Sequence, residues 1–592
     1  MKHIQLIVFL TLAILGALIT PHYGESWDEL QFYKYADHAI ESYSTWFKDG
    51  QIIGTGNTYD NYGPAFVIFT SVIARWLHNI NPDWLVSDLR HFIYFLTFLG
   101  GVWAFYNIVK RWVTQIAATT STLLFLTQPL FWGHSFISPK DIPFMSLFLL
   151  SLVMGLNMVD RVRLITFESI PLSKKRNILI LAGLWFITVF GLFIFTDSFH
   201  TAITILVRAA QSGDPNIISF IASDLGKVDP EIYIQRYFVF FLYIRALFSF
   251  LFTTVLLTVY CRHVPSFLSA LGQILFPAIL MGICTSIRVL GPLAGLLIVY
   301  YMLQKNGRRA LPTMVIYILI AIITVYLTWP YLWPNPIPRL FESIRVMSQY
   351  PWKGNVLFNG TYYASNNLPY SYIPVLLLIQ FTEPVWPLFV IGLFALRRNS
   401  FALVSTLLWL VFPITALIFS SAPLYDNTRQ IFFVLPPLFL VAGLGLESAF
   451  KRTEKMIYKI MIAGLILLPG LIACFRLHPY EYIYYNTLVK NPTGRFELDY
   501  WGTSYREAAY WLNENTPANK VVLAIGPAQI AGNYARIDLT ILSESDSRQK
   551  EPDYVLILAR RNWETDLYPE ARVVHNIIHN GLLLSTIKEI QR

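Results

Sequence analysis

Residues 311–329 read LPTMVIYILIAIITVYLTW, with no charged side chain, and Lys305, Arg308 and Arg309 stand just before them. About 20 mostly apolar residues in a helix cross the hydrocarbon of a bilayer. Basic residues beside such a run mark its cytoplasmic end. Working outward, comparable runs lie near 4–20, 89–109, 114–131, 142–159, 178–196, 238–260, 265–283, 286–303, 373–395, 401–420, 431–449 and 457–475, which makes about thirteen candidate spans. The first follows Lys2 and also reads as a signal peptide. No small-x-small cleavage site stands near Thr20, so whether 1–20 is retained stays open, and the later topology is the same either way.

Composition agrees with the runs. The apolar share is 55%, against about 45–50% in average proteins on a list that counts Gly and omits Tyr; the 31 Gly and 34 Tyr nearly cancel. Charged residues are 14%, against about 25% in a soluble domain. These values exclude a disordered chain, a disulfide-rich module and an ordinary soluble enzyme. The net charge of +9 reads as loop-end charge rather than a nucleic-acid surface. The three cysteines, Cys261, Cys284 and Cys474, form no CxxC or zinc pattern and read as small apolar residues. The fold class is therefore a polytopic α-helical membrane protein.

With Lys2 inside, alternate connections carry Lys110 and Arg111; Arg161, Arg163, Lys174, Lys175 and Arg176; Arg262; Lys305, Arg308 and Arg309; Arg397 and Arg398; and Lys451, Arg452 and Lys455. All fall on one side, which fixes the expected orientation. Counting the apolar segment 64–77 as a span would invert part of this pattern. It stays in a long outer loop, 21–88, with short interfacial helices. Further outer loops are 197–237 and 330–372. A membrane part, 1–475, then precedes a tail, 476–592, that is charged and has no span. There 504–514 reads as a helix, and Val521–Ile525, 538–542 and Tyr554–Leu558 as strands, giving a small extracytoplasmic α/β domain.

Large outer pieces suggest work at the outer surface, so the informative residues are polar ones there without a solvation excuse. Asp28 and Glu29 follow the first span; a carboxylate held among aromatics at a membrane surface is expected to have a raised pKa and suits general-base work, whereas an acidic helix start is the plain alternative. Lys140 and Asp141 precede the fourth span. Asp141 suits a helix cap, while a lysine at a helix N-terminus suits an anion better than it suits the helix. Arg288 sits in an apolar hairpin, where a cation is costly unless it works or snorkels. Arg429 lies on a short outer connection, with Asp426 as its plain partner. Lys140, Arg288 and Arg429 together suggest one anionic ligand, such as a lipid phosphate. The aromatic clusters at 329–334, 359–363 and 368–372 suit a membrane interface or a sugar platform. No Walker loop, GxGxxG, HExxH or GxSxG stands in a usable context, so no nucleotide cofactor is implied.

In these motifs the chain resembles the GT-C membrane glycosyltransferases, in their protein O-mannosyltransferase and aminoarabinose-transferase-like branch. The carriers are Trp27-Asp28-Glu29, Pro139-Lys140-Asp141, the Arg288 hairpin, Leu368-Pro369-Tyr370-Ser371-Tyr372 and Tyr425-Asp426-Asn427-Thr428-Arg429. The tail segments His478-Pro479-Tyr480-Glu481-Tyr482-Ile483-Tyr484-Tyr485-Asn486 and Asp499-Tyr500-Trp501-Gly502 are similar to bacterial members. The resemblance covers most of 1–500. It implies an inverting transferase in a bacterial inner membrane that moves a sugar from a polyprenyl-phosphate carrier on the non-cytoplasmic face. It also implies that Asp28 activates the acceptor, with Glu29 beside it, and that Lys140, with Arg288 and Arg429, binds the donor phosphate. Asp141 is expected to support them.

The chain departs from the eukaryotic mannosyltransferases: it has no large β-trefoil insertion and carries the α/β tail instead. A glycan, lipid or protein acceptor therefore stays open. Asp28, Glu29 and Asp141 are ligand types that could hold a divalent metal, but paired cations on the phosphate would make one unnecessary. The competing readings are a lipid or sugar transporter or flippase, whose charges usually lie near the membrane midplane, and a non-catalytic scaffold.

Overall fold

In the computed structural model, which describes residues 2–167, 170–221, 229–397, 400–546 and 550–591, the apolar runs become helices. Arg398 and residues 222–228 of the second outer loop lie outside the described residues. Among the described residues eight helical stretches are long and apolar enough to cross a membrane, or up to nine if a bent pair counts as one span. The chain is an integral multi-pass membrane protein with a small C-terminal α/β domain. Its contacts divide it into two compact units, 1–32 with 70–153 and 348–592, and 33–69 with 154–347.

The lower span count has local causes. The run 114–131 gives only a short helix, α5 (Gln115–Leu126), because Pro129 restarts the chain as α6 (Pro129–Ile137). The run 373–395 is broken into Tyr372–Gln380 and Val385–Leu396, bent by 111°. The run 431–449 starts as a 3-10 turn, Arg429–Val434, before the helix Pro436–Lys451. The run at 286–303 begins as a helix only at Pro292, and through a 3-10 turn at Gly307–Ala310 it continues into Leu311–Thr328, so that 292–328 counts as one stretch.

In the first unit, α1 (Lys2–Ile19) leads to the long connection that the charges place outside by expectation. That connection is more helical than expected. It holds α2 (Glu29–Asp49), which has 21 residues, and α3 (Ala65–Ile80) before α4 (Val86–Val109). Along α3 the exposed large apolar residues are Phe69, Val72, Trp76 and Ile80, a single stripe at helical spacing. That is the pattern of a helix lying in a membrane interface. α7 (Asp141–Arg161) has 21 residues, long enough at about 1.5 Å each to cross.

The basic ends gather within each unit. In the first, the Thr114 amide donates to Glu447 at 2.9 Å, and Trp112 and Val113 pack with Leu396, Ala402 and Leu444. In the second, Lys305 pairs with Asp160 at 2.7 Å, and the Ile165 amide donates to Thr313 at 2.9 Å. Close helix packing needs glycine where Val385–Leu396 meets Pro436–Lys451: a Cβ at Gly445 would collide with the Leu388 carbonyl.

The aromatic loop forms a hairpin, β1 (Asn355–Phe358) with β2 (Thr361–Ala364). The tail carries a helix, Tyr505–Asn515, and a five-stranded sheet of β3 (Val521–Ile525), β4 (Thr540–Leu542), β5 (Tyr554–Leu558), β6 (Arg572–His579) and β7 (Leu582–Glu589). The order is β4-β3-β5-β7-β6, parallel from β4 to β5 and antiparallel beyond. The last two strands were not expected. They close on Asn580-Gly581, both at positive φ, 48° and 78°, as a tight hairpin turn requires.

Candidate active site

The residues flanking Asp28 are anchored on both sides. The Trp27 amide donates to the Trp501 carbonyl at 2.9 Å. The Ser26 hydroxyl donates to the Ile137 carbonyl at 2.8 Å, and the Ser26 amide to the Glu29 carboxylate at 2.6 Å. Glu29 is fully buried and meets His91 Nε2 at 2.9 Å. Glu29, expected beside Asp28 in catalysis, has its carboxylate buried in these contacts, which fix the start of α2 to α4.

Lys140 ends the short link between α6 and α7. Ser138, not Asp141, caps α7, its hydroxyl accepting from the Asp141 amide at 3.1 Å. That frees the Asp141 carboxylate for side-chain pairing. Lys140 is 5% exposed, and its Nζ lies 2.9 Å from Asp28 Oδ2 and 4.8 Å from the Phe32 ring centre.

Arg429 follows a tight turn in which Asp426 and Asn427 both take positive φ, 56° and 61°. The turn points Asp426 back at the arginine. Arg429 Nε and Nη2 both donate to Asp426 Oδ2, at 3.0 and 2.6 Å. Nη1 reaches Asp28 at 3.3 Å and Asp141 at 3.2 Å. The guanidinium carbon lies 4.4 Å from the Trp501 ring centre and 5.2 Å from that of Tyr425. Thus Asp28, Lys140, Asp141 and Arg429 form one cluster. The plain Asp426–Arg429 pair is present too, as part of it.

Exposure separates the carboxylates: the Asp28 side chain is 18% exposed, Asp426 6% and Asp141 0%. Only Asp28 offers an edge to a substrate. Burial alone pushes its carboxyl up, but Lys140 and Arg429 outweigh that and hold it at about 2. This is the reverse of the expected raised value, because the two cations flank the same oxygen. Among the described residues no three His, Cys, Asp or Glu side chains converge on a point suited to a metal ion. Between Asp28 and Asp141 stands the Arg429 guanidinium.

The tail completes the cluster. Arg560 Nη2 donates to Asp426 Oδ1, and Glu497 lies near both Arg560 and Arg561, at 3.7 and 3.5 Å. Glu497 is fully buried, and burial pushes its carboxyl up despite the two arginines. Sequence reasoning missed Glu497, Arg560 and Arg561. The available signal was a basic pair at the end of the wholly apolar strand β5. Arg288 belongs to the second unit, half-buried in the turn between Thr285 and Pro292.

No protein-family model matches the chain, and no curated protein matches it in sequence. Solved structures of two proteins are among those similar to it. ArnT from Cupriavidus metallidurans in the apo state is 11% identical, with a TM-score of 0.45 over 98% of this chain and 97% of that one. The same ArnT bound to undecaprenyl phosphate is 10% identical, with a TM-score of 0.44 over 98% and 97%. An Archaeoglobus fulgidus oligosaccharyltransferase, tethered with an acceptor peptide containing the NVT sequon via a disulfide bond, is 15% identical, with a TM-score of 0.36 over 93% and 69%.

Proposed function

We propose that the chain is a membrane glycosyltransferase that moves a sugar from a polyprenyl-phosphate carrier to an acceptor hydroxyl on the non-cytoplasmic face, with inversion. The observation that carries this reading is a single partly exposed carboxylate, Asp28, held between two buried cations, Lys140 and Arg429. Glycosyl transfer from a lipid phosphate needs that combination. Asp28 takes the acceptor's proton as the acceptor oxygen bonds to the anomeric carbon. The bond from that carbon to the phosphate oxygen breaks, and the phosphate leaves with the electron pair. Lys140 and Arg429 stabilise the charge it gains. One reachable carboxylate suits direct displacement, since a double displacement needs a second nucleophile.

The test is Asp28→Asn in purified protein given a polyprenyl-phosphate sugar. The amide keeps the shape but cannot accept the proton. Transfer is expected to fall by about 10²–10⁴-fold while polyprenyl-phosphate binding persists. Unchanged turnover would remove Asp28 from the base role. Titrating Lys140→Ala and Arg288→Ala with polyprenyl phosphate, beside Arg75→Ala as a reference, tests the expected phosphate partners. Equal small losses in all three would mean that these cations only meet bulk lipid.

A further inference from the structure

We infer that Arg560, on the C-terminal domain, is a positioning residue of the donor-phosphate site and acts through Asp426 on Arg429; this rests on the reading of Lys140 and Arg429 as the phosphate partners. The domain is thus a working part of the site rather than an appendage.

The placement follows from the sheet. Arg560 stands just past the carboxyl end of β5, which runs parallel to β3. In open α/β sheets that edge is where ligands bind. Here it meets the outer connection that carries Asp28. Gly526, just past β3, lies under the Trp27 ring, where an added Cβ would come within 3.1 Å of it. The Gln529 side chain donates to the Trp27 carbonyl at 3.3 Å. Arg560 lies 5.6 Å from the Trp27 ring centre and is 5% exposed. It therefore touches both loops that hold the cluster, 24–29 and 425–429.

The geometry at Asp426 shows what Arg560 does. A carboxylate beside an arginine prefers the fork arrangement, one oxygen to each of two N–H groups. Arg429 does not have it: Nε and Nη2 share Oδ2, because Oδ1 is taken by Arg560. The shared oxygen leaves the guanidinium turned so that Nη1 reaches Asp28 and Asp141. Without Arg560, Oδ1 is released and Arg429 closes into the fork with Asp426. Nη1 then swings off the position where the donor phosphate needs a cation. A stack of rings supports the same link: Tyr425 lies on Trp352 at 4.3 Å, and Arg561 lies 5.0 Å from the Trp352 ring centre.

The test uses the full-length protein and polyprenyl phosphate in detergent micelles as the probe. Arg560→Ala is expected to weaken binding by about tenfold to a hundredfold. Asp426→Asn should weaken it similarly, and the double variant should lose little more, because both act on one guanidinium. Arg572→Ala, at an exposed pair on β6, should bind as wild type. If Arg560→Ala fails to fold, Arg560→Lys replaces it: a lysine keeps the charge and should recover part of the binding. Wild-type binding of polyprenyl phosphate with unchanged binding in the Arg560 variants overturns the positioning role but leaves the functional reading intact. Additive losses in the double variant also overturn it. Absence of wild-type binding overturns the functional reading itself.

Discussion

Asp28 carries a tension that the sequence did not show. As a base it needs an appreciable proton affinity, yet Lys140 and Arg429 hold it at about 2. A carboxyl so depressed stays ionised at every pH above that value, and protonation breaks its pairs only below it. On the proposed reading, the donor resolves the tension. A phosphodiester arriving at Lys140 and Arg429 brings a negative charge and draws the cations off Asp28, and both effects raise its proton affinity. The sign is therefore fixed: the acid limb of kcat, which reports the donor-bound enzyme, should lie at higher pH than the acid limb of kcat/KM for the donor. Rate profiles at saturating and at low donor concentration check this, and coincident limbs would refute it. Asp28, Lys140 and Arg429 were legible because each is a charge out of place beside an apolar run. The Asp426 bridge to Arg560 was not, because its partners lie 134 residues apart and no local pattern marks an ion pair across a fold.

Helices read well where the run was long and carried no break, as in α4, α7 and 456–477, even with Pro143 in the first turn of α7 and Pro469 inside 456–477. They read poorly where a distant side chain pays for a break. The span expected at 373–395 bends after Gln380, and a break within a membrane protein leaves backbone groups that need partners. Glu383, Pro384 and Pro387 were the local hints. The partners come from far away. The Asn486 side chain donates to the carbonyls of Leu378 and Phe381 at 2.8 and 2.9 Å, and its amide to Ile379 at 2.8 Å. The Thr382 amide donates to Gln128 at 3.1 Å. Thr428, next to Arg429, donates to Gln380 at 2.7 Å, so the bend also backs the cluster. Replacing Asn486 with leucine keeps the volume but removes the donors, at a cost of about 1–3 kcal/mol for each carbonyl left unpaired. A lower Tm for Asn486→Leu, with weakened binding of polyprenyl phosphate, is expected; an unchanged Tm would show that other groups satisfy the bend.

At the scale of the whole chain the question is which side the cluster faces. Within the first unit, Lys110, Arg111 and Lys451 lie near the Thr114–Glu447 contact. Within the second, Arg161 and Lys305 lie near the Asp160 pair. Within the first unit, α4 starts beside Glu29 through His91 and ends at Lys110 and Arg111, so its two ends carry opposite assignments if it crosses the bilayer. Basic connections stay in the cytoplasm. The cluster and the sheet that carries Arg560 are then expected outside, where a lipid-linked donor rather than a cytosolic nucleotide sugar is within reach. Ser173, in the basic connection, and Ser545, in the tail, are both exposed. In a background with Cys261, Cys284 and Cys474 replaced, Ser545→Cys should react with a membrane-impermeant thiol reagent in intact cells, and Ser173→Cys only after permeabilisation. Labelling of Ser173→Cys alone in intact cells would reverse the orientation. It would place Asp28 and Lys140 on the cytoplasmic face, and the argument for a carrier lipid drawn from sidedness would fall with it.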